Sequence, residues 1–177
     1  MSITSVKPKA YRADEFLSSH NLDRADATVT EIFNLMFGFE IKVIEFAADG
    51  EIQAECDERT AVVGFSGAMR GSCQIRTTTC AARSIASAML GGIPIDAEDD
   101  SINDALGELC NMLAGGWKNG VPELSSECAL SPPTVIAGRS YKVHVSKPSV
   151  NFSRAYRFNS HTLFLTLYRE ESSLLRG

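Results

Sequence analysis

Between Asp99 and Gly120 the chain reads DDSINDALGELCNMLAGGWKNG, and one regular structure fits it. Ile102, Leu106, Leu109, Leu113 and Trp117 recur at steps of three and four, the spacing of a single apolar helix face. Asp104, Glu108, Asn111, Gly115 and Lys118 recur at the same steps on the other side. A helix here must bury one stripe and present the other. The polar stripe has an unusual make-up: a carboxylate and a carboxamide one turn apart, then a glycine, then a cation. Glu108 and Asn111, as i and i+3, project from points roughly 5–6 Å apart at Cβ. Gly115 costs a helix about 1 kcal/mol relative to Ala, and a bare patch there would admit another backbone. The stripe is therefore expected to receive a partner.

The apolar face needs a layer to pack on, and the flanking sequence supplies strands. EIKVIEFA (40–47) is mostly β-branched or aromatic, and RTAVVGFSG (59–67) is a continuous apolar run of the kind buried on both faces. GSCQIRTTT (71–79) alternates, with Cys73, Ile75 and Thr77 on one side. A helix follows over CAARSIASAMLGG (80–92), with Thr79 as N-cap and Gly91-Gly92 as its end. Downstream of Gly120, SECALS runs into Pro132-Pro133, which must leave a central strand. RSYKVHVS, VNFSRAYRF and TLFLTLYRE then read as strands.

Upstream, Thr28 and Glu31 fit a capping box that opens a helix through IFNLMFG to Gly38. Residues 1–23 read as a loose arm and 171–177 as a tail, with a single domain over 24–170. The predicted order is α-βββ-αα-βββ. That is an α+β fold whose mainly antiparallel, six-stranded sheet carries packed helices.

One half of the chain echoes the other. EIFNLMFG (31–38) and ELCNMLAG (108–115) align without a gap and share Glu, Asn and Gly in register. Each precedes three predicted strands, the pattern of a duplication with pseudo-twofold symmetry.

A chain of 177 residues with 44% hydrophobic content can bury one sizeable core. Its net charge of −5 and pI of about 5.2 argue against nucleic acid or an anionic membrane surface as partner. Cys56, Cys73, Cys80, Cys110 and Cys128 are scattered and never form C-x-x-C, and the histidines are dispersed. No metal-ligand spacing results, so the cysteines are expected to be small buried hydrophobes in a reducing compartment. No signal-peptide core or membrane-length apolar run is present, so a cytoplasmic location is expected.

Asn can neither take up a proton nor attack, but its carboxamide accepts from a water and donates to a developing charge at once. That suits positioning a water for in-line attack on a phosphoryl group, where catalysis is mostly orientation and electrostatics. A neighbouring Glu could act as base, or hold a partner's Lys by a charge-assisted hydrogen bond. Taken alone, the pair reads by default as solvated surface.

The wider pattern adds weight. GSCQIRTTT, SIASAMLGG, DALGELCNMLAGGWKNG and ALSPPTVIAG, in that order, resemble the CheC/CheX-type chemotaxis phosphatase family, the single-site CheX branch in particular. That family carries Asp/Ser-x-x-x-Glu-x-x-Asn on a helix and a Pro further on. Asp104, Glu108, Asn111 and Pro133 fit, within a resemblance that spans roughly residues 25–168.

The resemblance implies hydrolysis of the aspartyl phosphate on a phosphorylated CheY-like receiver. Asn111 would orient the attacking water and Glu108 would anchor the receiver through its Lys, the two acting as the catalytic pair. Asp104 and Pro133 would support the contact, and the stripe adds Gly115 and Lys118 to the partner-binding surface. The resemblance further implies that no phospho-intermediate forms on this chain, that it has no cofactor or metal of its own, that Mg²⁺ belongs to the receiver, and that the protein is a homodimer.

Gly116 and Trp117 depart from the family pattern and leave docking geometry or receiver choice open. The second pair, Glu31 and Asn34, is flanked by Phe33 and Phe37 and is expected to be a relic in the core or an interface. The alternatives are a non-catalytic receiver-binding or flagellar-switch-type module, and a dimerisation domain with a dead site.

Overall fold

The structure is a computed structural model that describes residues 18–45, 57–139, 141–145 and 148–170. The predicted tail, Cys56 and most of the predicted arm lie outside the described residues. Helix α1 (Ser19–Ile32) runs into a π-helical turn (Phe33–Phe37), followed by β1 (Ile41–Ile44), β2 (Glu58–Gly67) and β3 (Gly71–Thr78). Helices α2 (Thr79–Met89) and α3 (Ser101–Gly120) come next, with a short α4 (Pro122–Ser125). The chain finishes with β4 (Cys128–Leu130), β5 (Thr134–Gly138), β6 (Pro148–Phe158) and β7 (His161–Glu170).

The sheet has seven strands rather than six, in the order β1-β6-β7-β3-β2, with β4 and β5 following one another along the outer edge of β2. Every neighbouring pair is antiparallel. The fourth predicted strand moves. RSYKVHVS is not a strand over its described residues, whereas CAL (Cys128–Leu130) and TVIAG (Thr134–Gly138), on either side of Pro132-Pro133, are. Proline lacks the N–H a ladder needs, so the prolines split one edge into two short strands. With β5 already paired to β2, Tyr141 reaches in only by its side chain, its hydroxyl donating to Thr60 Oγ1 at 2.8 Å.

The duplication read from the echo is present in the topology. Exchanging β1 with β5, β2 with β6 and β3 with β7 turns the order β1-β6-β7-β3-β2-β5 into itself read backwards. The axis of that exchange passes between β3 and β7, paired from Gly71↔Arg169 to Thr77↔Leu163. In chain order the α1–π segment stands before β1–β3 as α3 stands before β5–β7.

Helix α1 begins at Ser19, inside the predicted arm. Its N-cap is Ser18, whose hydroxyl accepts from Asn21 N at 3.4 Å. Thr28 is therefore a mid-helix residue and caps nothing; its hydroxyl donates back to Arg24 O at 2.8 Å. The missed signal was the spacing of Ala25, Val29, Phe33 and Phe37, all buried, at uniform four-residue steps. Four α-helical residues overshoot a full turn by about 40°, so an unbroken α-helix would carry Phe37 off the buried face. The wider π turn over Phe33–Phe37 removes that drift. Phe33 then packs edge-on against Phe37 and also against Phe158, each at 5.1 Å between centroids. Gly38, at φ 66°, ends the segment as predicted.

Asp26 ties α1 to β6, accepting from the Tyr156 hydroxyl at 2.6 Å and from Arg154 Nη2 at 3.0 Å. Burial, and then the Asp26 carboxylate, push the Tyr156 phenol far above its ordinary range. Helix α2 is capped one residue earlier than expected, by Thr78, whose hydroxyl accepts from Ala81 N at 3.2 Å. Among the cysteines, Cys73, Cys110 and Cys128 are buried as expected, but Cys80 is exposed on the first turn of α2.

Candidate functional site

Helix α3 lies across the molecule, touching β2, β3, β4 and β5 as well as α1 and α2. Its predicted inner face is the observed one: Ile102, Leu106 and Leu109 are wholly buried, and Leu113 and Trp117 are 2% exposed. Burying five such side chains contributes about 1.5–3 kcal/mol each, so the roll of α3 about its axis is fixed by its apolar stripe.

Its ends are held by polar contacts. At the front, the buried Arg59 of β2 donates to Asn103 Oδ1, to Thr79 Oγ1 at 3.3 Å and to Ala97 O at 3.5 Å. One guanidinium thus joins the starts of α2 and α3 to the connection between them. Asp99 Oδ1 accepts from Ser101 N at 2.8 Å, and the contact with Ser101 holds the Asp99 carboxyl below its usual range. At the back, Trp117 Nε1 donates to Asn21 O at 2.9 Å, Arg24 donates to Gly120 O, and Lys118 Nζ donates to Ser125 O at 2.7 Å. Beneath the middle of α3 the Cys110 thiol points at Ala61 O and Cys73 O. Its contact with Cys73, together with burial, pushes the Cys73 thiol well up. Both thiols are buried away from solvent.

Held in this way, α3 presents the predicted stripe outward. Asp104 and Glu108 are exposed, and Asn111, Gly115 and Lys118 are half-buried. Pro133, distant in sequence, comes to the same stripe. A Cβ on Gly107 would stand 3.3 Å from Cβ and Cγ of Pro133 and 3.5 Å from Cγ2 of Val135. The proline ring is thus seated on bare helix backbone next to Glu108. Gly107 was missed in the sequence, where an isolated glycine in a helical pattern was the available signal.

Gly116, one departure from the family pattern, serves the fold: a Cβ there would lie 2.6 Å from Cγ2 of Thr28, so this glycine lets α1 approach α3. Gly115 does have open space, with Leu130 Cδ1 at 3.8 Å its nearest neighbour. Trp117, the other departure from the family pattern, is a core residue whose ring meets Phe65 at 5.6 Å.

For the second pair, one half of the expectation is corrected: Glu31 and Asn34 are exposed, as are Leu35 at 75% and Met36 at 55%, so the pair is not in the core, and a place at an interface stays open. The flanking aromatics point inward and leave the intervening residues outside. What separates this pair from Glu108 and Asn111 is backbone geometry, since Asn34 lies in the π turn while Asn111 lies within an unbroken α-helix. Glu31 and Asn34 therefore do not share the angular relation of an α-helical i,i+3 pair.

An open cleft of about 480 Å³, lined by Cys80, Arg83, Ser84, Ser87 and His161 among others, lies on α2 and shares no residue with the α3 stripe. The stripe itself is a raised surface, suited to entering a partner's pocket rather than enclosing a small molecule. Among the described residues, no group of three His, Cys, Asp or Glu could hold a metal ion. None of their helices is long and apolar enough to cross a membrane.

Comparison with known proteins places these features in context. The family model described as chemotaxis phosphatase CheX matches residues 59–153, which include Arg59, all of α3 and Pro133. The CheY-P phosphatase CheX of Thermotoga maritima is 34% identical over 82 residues, 46% of this chain and 53% of that protein. The match thus spans about half the length of that curated relative. Among solved structures, the chemotaxis protein CheX of Vibrio vulnificus superposes with a TM-score of 0.71 at 20% identity, covering 86% of this chain and 97% of that one. A chain of the CheX–CheY–BeF3–Mg²⁺ complex from Borrelia burgdorferi superposes with a TM-score of 0.63 at 17% identity, over 85% and 96% of the two chains.

Proposed function

The chain belongs to the CheX family of chemotaxis phosphatases, and we propose that it hydrolyses the aspartyl phosphate of a phosphorylated CheY-like receiver, with Asn111 and Glu108 as the working pair. The observation that carries this reading is the outward stripe on α3: an exposed carboxylate one turn from a half-buried carboxamide, on a helix clamped at both ends. Asn111 enters the receiver's acidic pocket and holds a water in line with the phosphorus by accepting from it and donating toward the phosphoryl oxygens. Glu108 receives the receiver's Lys as a charge-assisted hydrogen bond. Asp104, Gly115, Lys118 and Pro133 complete the docking surface. The Mg²⁺ sits with the receiver's phosphoryl group, and this chain supplies no ion.

Glu108→Ala tests the docking half of the proposal. It is expected to raise the dissociation constant for a BeF3-loaded receiver roughly tenfold and to lower turnover with it. An unchanged dissociation constant, by titration calorimetry, would remove Glu108 from the interface.

The π turn supports reading the Glu31/Asn34 pair as a non-working copy. Asn34→Ala is expected to leave phosphate release within twofold of wild type and, at an exposed position, stability within about 0.5 kcal/mol. Loss of half the turnover in a stable variant would instead indicate two working sites.

The protein is further proposed to act in the cytoplasm as a symmetric homodimer. Strand β1 ends the sheet with its outer edge unpaired among the described residues, an edge that a second copy could cover. Sedimentation at micromolar concentration should give the mass of two 19.2 kDa chains, and the mass of one would refute the dimer.

A further inference from the structure

We infer that Ser131 is a positioning residue for Asn111, acting by clamping the segment Leu130–Pro133 as a fixed wall along the α3 stripe. The inference rests on the phosphatase reading above and concerns how Asn111 is held. Two contacts define the wall. Pro133 is seated on Gly107 and Leu130 lies against Gly115. Gly107, Asn111 and Gly115 are successive i,i+4 positions on one helical stripe. Eight helical residues rise about 12 Å, and the three steps from Leu130 to Pro133 span about 10 Å when extended. The segment therefore runs antiparallel to α3 over that stripe, and Asn111 falls level with Ser131–Pro132. Asn111 is half-buried on a face where Asp104 and Glu108 are exposed, as a side chain beside such a wall would be.

A wall fixes a side chain only if it is itself held. Ser131 does this with three hydrogen bonds. Its hydroxyl accepts from Gly64 N at 2.8 Å and donates to Pro132 O at 2.9 Å, and its own N donates to Gly64 O at 2.9 Å. A Cβ on Gly64 would lie 3.3 Å from Ser131 Oγ, so a side chain there would displace the clamp by a few tenths of an ångström. The clamp falls in the gap between β4 and β5, where the Pro132-Pro133 pair prevents ladder pairing. Without the Ser131 hydroxyl, the segment between the flanking strands would keep only the backbone bond from Ser131 N to Gly64 O. A carboxamide that must aim a water has two free torsions, and a wall beside it restricts both.

The test is phosphate release from a CheY-type receiver phosphorylated with acetyl phosphate and Mg²⁺, measured for wild type, Ser131→Ala, Ser131→Thr and Asn111→Ala/Ser131→Ala. Ser131→Ala should lower kcat by about tenfold or more, as misplacement of a catalytic group does, with KM within twofold. Ser131→Thr, which keeps the hydroxyl, should recover most of the loss. In the double variant the serine change should have no further effect, because it acts through Asn111. Gly64→Ala, which crowds the clamp from the other side, should reproduce the kcat loss. Wild-type turnover together with an unchanged kcat for Ser131→Ala would overturn this inference and leave the phosphatase reading standing. So would a Ser131→Ala protein whose only change is a lower Tm. Absence of turnover in the wild-type protein would overturn both.

Discussion

Asn111→Ala is expected to lower phosphate release from a phosphorylated receiver by at least about a hundredfold, the usual cost of deleting one preorganised polar group aimed at the reacting centre. The structure separates this effect from damage to the fold. Asn111 is half-buried and stands opposite the packed face of α3. The described hydrogen bonds that hold the helix come from Arg59, Trp117, Arg24 and Lys118. Alanine also has the higher helix propensity, so stability should change by less than about 1 kcal/mol. Docking should survive, because Glu108 carries the charged contact. The paired measurement is kcat for phosphate release and the dissociation constant for a BeF3-loaded receiver. A variant that turns over at the wild-type rate would remove Asn111 from the chemistry. Asn111→Asp is informative for a different reason. It keeps the shape but places an anion against an anionic phosphoryl group, so it should not rescue.

Trp117→Ala should have the largest effect on stability, a loss of about 3–5 kcal/mol. Trp117 is the largest fully enclosed side chain, packed on Phe65, and its Nε1 is the donor to Asn21 O that joins α1 to α3. Truncation leaves a cavity and also strands a buried carbonyl. For a chain of this length the midpoint should fall by roughly 10 °C. Trp117→Phe divides the two contributions, since it keeps most of the packing and loses only the donor, at about 1–2 kcal/mol. A Trp117→Ala protein melting at the wild-type temperature would show that the α1–α3 contact is not where the structure places it.

These two residues also show what could be read before the fold was known. Trp117 and its apolar stripe were legible because helical periodicity is a local property that burial enforces. The outward placement of Glu108 and Asn111 followed from the same periodicity. The echo between residues 31–38 and 108–115 was legible as duplication, and the reversible strand order bears it out. The less legible features depend on what approaches from elsewhere in the chain. Gly107, Gly115 and Gly116 look alike in sequence, yet Pro133 sits on the first, only Leu130 comes near the second, and Thr28 crowds the third. The π turn was hidden because Phe33 and Phe37 pointed only to a segment in the core or an interface. In the structure they point inward while Asn34, Leu35 and Met36 face out. The split edge strand at Pro132-Pro133 was half legible: the prolines announced a break, but the strands on either side are too short for their periodicity to register.

The central claim is that this chain removes the phosphoryl group from a receiver's aspartate, and it is tested most directly by the decay of a purified, ³²P-labelled CheY-type receiver with and without the protein. The account predicts that catalytic amounts of wild-type protein accelerate release of inorganic phosphate, that label never appears on this chain, and that the Asn111→Ala protein leaves the receiver at its intrinsic rate of decay. Decay at the intrinsic rate with saturating wild-type protein bound to the receiver would contradict the account and identify a binding module in place of an enzyme.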